Sequence, residues 1–223
     1  MRNFGKYLLV AGAALCVLAL GGITHSSLGE GAAAASSAAA ATSTPATPSD
    51  VAKLQVLLST YGTSTTPFDA QAQTKHCQIN GPLPDPACSP GAVYSAGPDK
   101  ICVPGYAASV RNVSASTKKK VYIAYGLAYP QPTGTYELDH LVPLELGGNN
   151  TTANLFPEAA SPAPGFHEKD LVEDYLHDEV CGGDISLSAA QHQIADDWTA
   201  VYALMSPETI YRLQHDHPSW AKN

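Results

Sequence analysis

Basic charge is what this sequence has least of for its length. Twelve lysines and arginines stand against 20 aspartates and glutamates in 223 residues, a formal net charge of −8. A protein that coats nucleic acid neutralises many phosphates with Lys and Arg, so the deficit excludes tight, extensive binding of that kind. It leaves room for a site that grips a few phosphates. The single basic cluster, Lys118-Lys119-Lys120 with Arg111 nearby, reads equally as a solvated face and as a surface that steers a polyanion. CxxC pairs are missing, which argues against a four-cysteine zinc site. Long apolar runs are scarce too. Tyr7 to Leu20 carries no charge but falls short of the roughly 20 residues a spanning helix prefers, and Gly21 to Ile23 brings it only to a borderline length. No internal repeat divides the chain.

What is present begins with an export signature. Arg2 and Lys6 precede the apolar run, and Cys16 lies inside it, so residues 1–28 read as a signal peptide, with an uncleaved N-terminal anchor as the alternative. Residues 29–50, rich in Ala, Ser, Thr and Pro, have too few large apolar groups to offset their ordering entropy and read as a flexible linker. Residues 51–223 then form one domain. Beyond the signal four cysteines remain, Cys77, Cys88, Cys102 and Cys181, an even number that suits two disulfides in an oxidising compartment. Three connectivities are open and the sequence does not decide between them. The preferred one joins Cys77 to Cys88 across a short Pro-rich loop and Cys102 to Cys181.

Val51, Leu54, Leu57 and Leu58 have helical spacing. Residues 62–116, full of Gly, Pro, Ser and Asp, read as irregular loops and short strands held by the disulfides. Val121 to Tyr125 fits either a strand or the end of a helix begun at the lysines. Glu137 to Val142 reads as a strand, and Gly147-Gly148-Asn149-Asn150 as a turn. From Glu168 the period lengthens: Leu171, Val172, Tyr175, Leu176 and Val180 share a helical face that Gly182-Gly183 ends. Ser188, with Gln191 three residues on, reads as the cap of the next helix, whose apolar stripe is Leu187, Ile194, Trp198 and Val201. Ser206-Pro207-Glu208 starts a third. The fold class is α+β, a small hairpin followed by three helices.

The informative segment is Tyr136 to Leu155. Asp139 and His140 are neighbours, so on a strand they point to opposite faces, and one can bind metal while the other reaches a water molecule. A histidine suits the base role because its ordinary pKa lies near neutrality. Pro143 and Gly147-Gly148 fix a turn beside the pair, and the Asn154 amide suits bonding to that loop. His167, opening the next helix, can return an imidazole to the metal. Hydrolysis of a phosphodiester needs an activated water and a cation to offset charge on the phosphoryl and leaving oxygens, which these parts supply.

In this order, with Asn154-Leu155 and with His167 two places before Lys169, the segment Glu137 to Lys169 resembles the HNH (His-Me finger, ββα-metal) nuclease motif. Asp85 to Ala92 and Tyr136 to Trp198 further resemble small exported bacterial proteins of that type. The resemblance implies a ββα-metal core over 136–181, between a disulfide-stapled irregular N-terminal part and C-terminal helices. It implies His140 as general base, Asp139 and His167 as ligands of a divalent metal (Mg²⁺ first, with Mn²⁺ or another divalent ion as alternatives), Asn154 as the middle residue that holds the hairpin, and Lys169 as a phosphate contact. The two zinc-binding CxxC pairs of many relatives are missing, and the Pro-rich insert Pro157 to Gly165 lengthens the usual spacing.

The expectation is therefore an exported, metal-dependent endonuclease acting on DNA, with RNA as the alternative. It works outside the cytoplasm or in the cell envelope, with no stable membrane association once the signal is removed. Its rivals are an inactive scaffold of the same shape that binds a partner, and a structural envelope protein held by an uncut N-terminal helix. Default readings stand beside several residues: a solvated surface lysine for Lys169, an exposed strand glutamate for Glu137, a surface residue for His177, and a tail for His215-Asp216-His217.

Overall fold

The computed structural model describes residues 67–216. The signal or anchor, the linker and the helix expected from Val51 lie outside the described residues, as does His217. Among the described residues no helix is long and apolar enough to cross a membrane.

The first stretch is mostly irregular, as its Gly and Pro content requires. Two short helices, α1 (Pro98–Ile101) and α2 (Tyr106–Val110), interrupt it. Both disulfides follow the preferred connectivity, Cys77–Cys88 and Cys102–Cys181. The first pins the loop over the hairpin, where the Ser89 hydroxyl donates to the Leu155 carbonyl at 2.8 Å and meets the Tyr125 hydroxyl at 2.9 Å. The second ties the end of α1 to the far end of the long helix that starts at Phe166. Helix α3 (Ala115–Ala124) starts on Ser114, whose hydroxyl accepts from the Thr117 N–H, and it carries the three lysines exposed on its surface. Val121 to Tyr125 thus completes a helix.

The sheet has two strands, β1 (Tyr136–His140) and β2 (Leu155–Ala159), antiparallel with Asp139 opposite Phe156 and His140 opposite Leu155. Their connection is tightly determined. Gly147 closes a 3₁₀ turn (Leu144–Leu146) at φ 79°, a left-handed conformation that disfavours side chains. At Gly148 a Cβ would fall 1.7 Å from the Val142 carbonyl oxygen, so only glycine fits. Asn154 is fully buried and braces this loop from within. Its Oδ1 accepts from Val142 N–H at 2.9 Å, and its Nδ2 donates to the carbonyls of Val142 at 2.8 Å and Asn149 at 2.9 Å.

Three helices follow: α4 (Phe166–Gly182), α5 (Leu187–Tyr202) and α6 (Pro207–Asp216). Val172, Leu176 and Val180 of α4 pack with Ile194, Trp198 and Val201 of α5, with Ile101, Val142 and Leu146 completing the core. The cap of helix α5 lies two residues before the expected one. Ser186, not Ser188, accepts from the Ala189 N–H, and Gln191 instead donates to the Leu146 carbonyl at 2.7 Å. Asp197 interrupts α5 with extended backbone, and its carboxylate caps the second half by accepting from Thr199 and Ala200 N–H. Ser206 caps α6 as expected.

Candidate functional site

Facing residues of an antiparallel pair, and residues two apart on one strand, share a side of the sheet. Glu137, Asp139 and Glu158 therefore project from one face of the hairpin, and α4 lies across that face. Helix α4 brings Lys169 to it. The Lys169 side chain is fully buried, and its Nζ donates to Asp139 Oδ2 at 2.6 Å, to the His140 carbonyl at 2.9 Å and to Glu173 Oε1 one turn along the helix. Asp139 Oδ1 in turn accepts from the His140 N–H at 2.7 Å. Burial alone would lower the Lys169 ammonium, yet the carboxylates of Asp139 and Glu173 outweigh it and hold the group well above its ordinary value. Burial likewise works against the Asp139 carboxylate, and the Lys169 ammonium overcomes it and keeps Asp139 below the usual range.

The surrounding acids have no such counterion. Burial, then the Asp139 charge, pushes Glu137 up to about 7 and Asp170 up to about 8. Glu158 is 1% exposed and neither of its oxygens receives a hydrogen bond. Burial raises it well above the ordinary range, more than the nearby Lys169 charge lowers it.

His140 turns to the other face. Its Nε2 lies 3.0 Å from Asn150 Oδ1. The Asn150 amide is itself oriented by distant partners: Nδ2 donates to the Val110 carbonyl at 2.8 Å and to the Tyr94 hydroxyl at 2.8 Å. A carbonyl only accepts, so Nδ2 must face Val110 and Oδ1 must face the imidazole. His140 Nε2 therefore carries the proton in the neutral ring, and Nδ1 is its basic nitrogen. Burial lowers the His140 pKa from 6.5, more than the Asp139 charge and the Asn150 bond restore, which keeps the ring neutral at pH 7. The exposed Arg111 guanidinium is close enough to act on both His140 and Glu137.

The sequence-derived constellation is thus brought together in part. Asp139, His140 and Asn154 occupy one hairpin, on opposite faces and in its turn as expected. Lys169 joins them, but as a buried ion pair with Asp139, which corrects the reading of a solvated surface lysine. Glu137 is half-buried, not exposed. His167 is the second residue of α4, its ring 4.3 Å from that of Phe166. Two residues of helix turn about 200°, so His167 and Lys169 leave α4 in nearly opposite directions. The helical position facing Asp139 belongs to Lys169. Lys118, Lys119 and Lys120 stay exposed on α3, and His215 Nδ1 donates to the Tyr211 carbonyl at 2.8 Å within α6.

Among the described residues, the group of three His, Cys, Asp or Glu side chains with ligand atoms within 4.8 Å of one another is Cys102, His177 and Cys181. This is a possible metal-binding group, but both sulfurs are joined in a disulfide and offer no thiolate. His177 is half-buried, with Nε2 3.3 Å from the Ile101 carbonyl. Asp139 and His167 belong to no such group. Lys169 Nζ takes the place beside Asp139 and His167 leaves α4 away from it, so the expected Asp139–His167 cradle does not fit a divalent ion in this arrangement. A cleft of about 400 Å³, lined by Phe68, Gln71, Val93 and Gln191 among others, includes neither Asp139 nor His140.

Asn150, Glu158, Asp170 and Glu173 escape sequence reasoning, and Lys169, expected as a phosphate contact, is an ion-pair partner instead. Asn150 reads locally as turn chemistry, and its partners Tyr94 and Val110 lie 56 and 40 residues away. Lys169 did leave a signal: with Val172, Leu176 and Val180 it falls on one helical stripe, and Glu173 follows four residues on. Comparison with known proteins finds no matching protein family, no similar curated protein and no similar solved structure.

Proposed function

We propose that this chain is an exported endonuclease of His-Me finger type that hydrolyses phosphodiester bonds, in DNA before RNA. The observation that carries the reading is a neutral imidazole, His140, held by an amide at Nε2 and anchored on a hairpin whose turn is braced by the fully buried Asn154. In the reaction His140 Nδ1 takes a proton from water, and the hydroxide oxygen attacks phosphorus in line with the leaving oxygen. Arg111, exposed and close to His140, offsets charge on the phosphoryl oxygens, and Lys118 to Lys120 draw the polyanion toward the surface. The two disulfides fit a protein that works in an oxidising compartment. No step is assigned to a metal, because Lys169 occupies the place beside Asp139.

One observation favours a second reading. His140 is only 3% exposed and Asp139 is held in an ion pair by Lys169, which suits a non-hydrolytic scaffold that keeps the same frame and binds a partner outside the cytoplasm. A nuclease assay separates the two. Mature protein is incubated with plasmid and single-stranded DNA, with and without divalent ions, beside His140→Ala. Cleavage by the parent and its loss by about 100-fold or more in the variant support hydrolysis. Intact substrates across pH leave the scaffold, and cleavage by His140→Ala at the parent's rate removes the proposed base.

A further inference from the structure

The least ordinary group in this fold is an ammonium sealed inside an acidic pocket. Lysine is almost never fully buried unless paired, and each uncompensated buried charge costs several kcal/mol. Lys169 meets that condition with three oxygen acceptors from two elements: Asp139 Oδ2 and the His140 carbonyl on β1, and Glu173 Oε1 on α4. Glu158 stands at the same place from β2, 1% exposed, with neither oxygen receiving a hydrogen bond. Asp170 and Glu137 flank it. The donor set consists of hard oxygens, the kind that Mg²⁺ and Mn²⁺ select. A positive charge already sits among them.

We propose that Lys169 is the resident cation of this site: its ammonium takes the place between Asp139 and Glu173 that a divalent ion would fill, so the parent binds no metal there and loss of the ammonium opens a divalent-cation site. Lys169 is then a positioning residue. It fixes the Asp139 carboxylate and the carbonyl of His140, and through them the direction of the imidazole. This departs from the metal cradle of Asp139 and His167 that the motif implies. It also stands apart from the hydrolytic reading, since His140 can activate water whichever cation holds Asp139.

Manganese alone is the probe, titrated calorimetrically into the mature, disulfide-bonded chain. The parent is expected to show no site that Asp139→Asn removes. Lys169→Met is expected to bind one Mn²⁺ per chain at least about tenfold more tightly than the parent, with the gain lost in the Glu173→Gln background. Lys169→Arg, which keeps the positive charge, is expected to behave as the parent. An Asp139-dependent Mn²⁺ site in the parent, or in Lys169→Arg, overturns the proposal, as does a folded Lys169→Met that binds no more tightly than the parent. Should Lys169→Met fold only when Mn²⁺ is present, that dependence supports the proposal. If it folds under neither condition, the parent and Lys169→Arg titrations decide. Nuclease assays of His140→Ala bear on the hydrolytic reading alone, so the two can fail separately.

Discussion

Helix α4 packs against the rest of the protein in two different ways, and the contrast explains what each part of the fold is for. Toward α5 it presents Val172, Leu176 and Val180 to Ile194, Trp198 and Val201, a contact that needs only volume and apolarity. Toward the hairpin it presents Lys169, Asp170 and Glu173 to Asp139, Glu137 and Glu158, a contact that needs each charge in its place. The first side supplies stability by removing apolar surface from water. The second supplies little net stability, since charges lose hydration when buried.

The largest expected effect tests whether the two sides fail differently. Lys169→Ala should cost about 3–5 kcal/mol, because it leaves the largely buried carboxylates of Asp139 and Glu173 without a counterion. Leu176→Ala should cost a similar amount, about 2–5 kcal/mol, through its cavity. Their pH dependence should separate them. Without Lys169 the stranded carboxylates take up protons more readily in the folded state than in the unfolded chain, so the deficit of Lys169→Ala shrinks from pH 8 to pH 5. That of Leu176→Ala stays constant. Urea unfolding of both variants and the parent at the two pH values gives the answer, and equal pH slopes would remove the distinction.

The parent itself should show a weaker form of the same dependence. Glu137 and Asp170 have unfolded values of 4.5 and 3.8 and folded values of about 7 and about 8. Their folded pKa is raised, so the folded state binds more protons across that window and stability is lost as pH rises from about 5 to 8. Glu145, Glu158 and Glu173 act in the same direction, since burial raises all three. His140, lowered from 6.5, opposes them at the acid end only. Asp139 is lowered and Lys169 raised, so both stay charged throughout. The midpoint of thermal unfolding should therefore be higher at pH 5.5 than at pH 8, by a few degrees. A rise with pH would mean that the acidic face is solvated.

The two sides also differ in how legible they are in the sequence. The apolar side follows from period: the stripe of α4, its stop at Gly182-Gly183, and Ile194, Trp198 and Val201 on α5 are spacing arguments that hold wherever the helices dock. The hairpin turn is legible for a similar reason, because Gly147 and Gly148 leave the backbone few choices. The polar side depends on who meets whom. Lys169 looks like any helical lysine until β1 is laid across α4, even though it shares the stripe of Val172 and Leu176. Asn150 looks like a turn residue until Val110 and Tyr94 arrive from far along the chain. The cap of α5 was misplaced for a local reason. Ser186 and Ser188 both suit an N-cap, and Gln191, which favours Ser188 by spacing, is drawn away by the Leu146 carbonyl.

Between the two faces of the hairpin, His140, a charge-sensitive group, meets a neutral partner. Asn150 holds His140 by a single neutral bond, so Asn150→Ala should leave the fold nearly intact and slow hydrolysis by about tenfold, through a less well-oriented ring. Asn150→Asp should act through charge. A carboxylate beside Nε2 favours the imidazolium and raises the His140 pKa, which burial otherwise holds below 6.5. For a base that works unprotonated, the acid limb of the pH–rate profile then moves to higher pH, while the alkaline plateau changes less. Profiles of kcat/KM for parent, Asn150→Ala and Asn150→Asp between pH 5 and 8 measure this. If the Asp variant's limb coincides with the parent's, His140 Nε2 is not the atom that Asn150 holds during catalysis, and the basic nitrogen must be assigned the other way round.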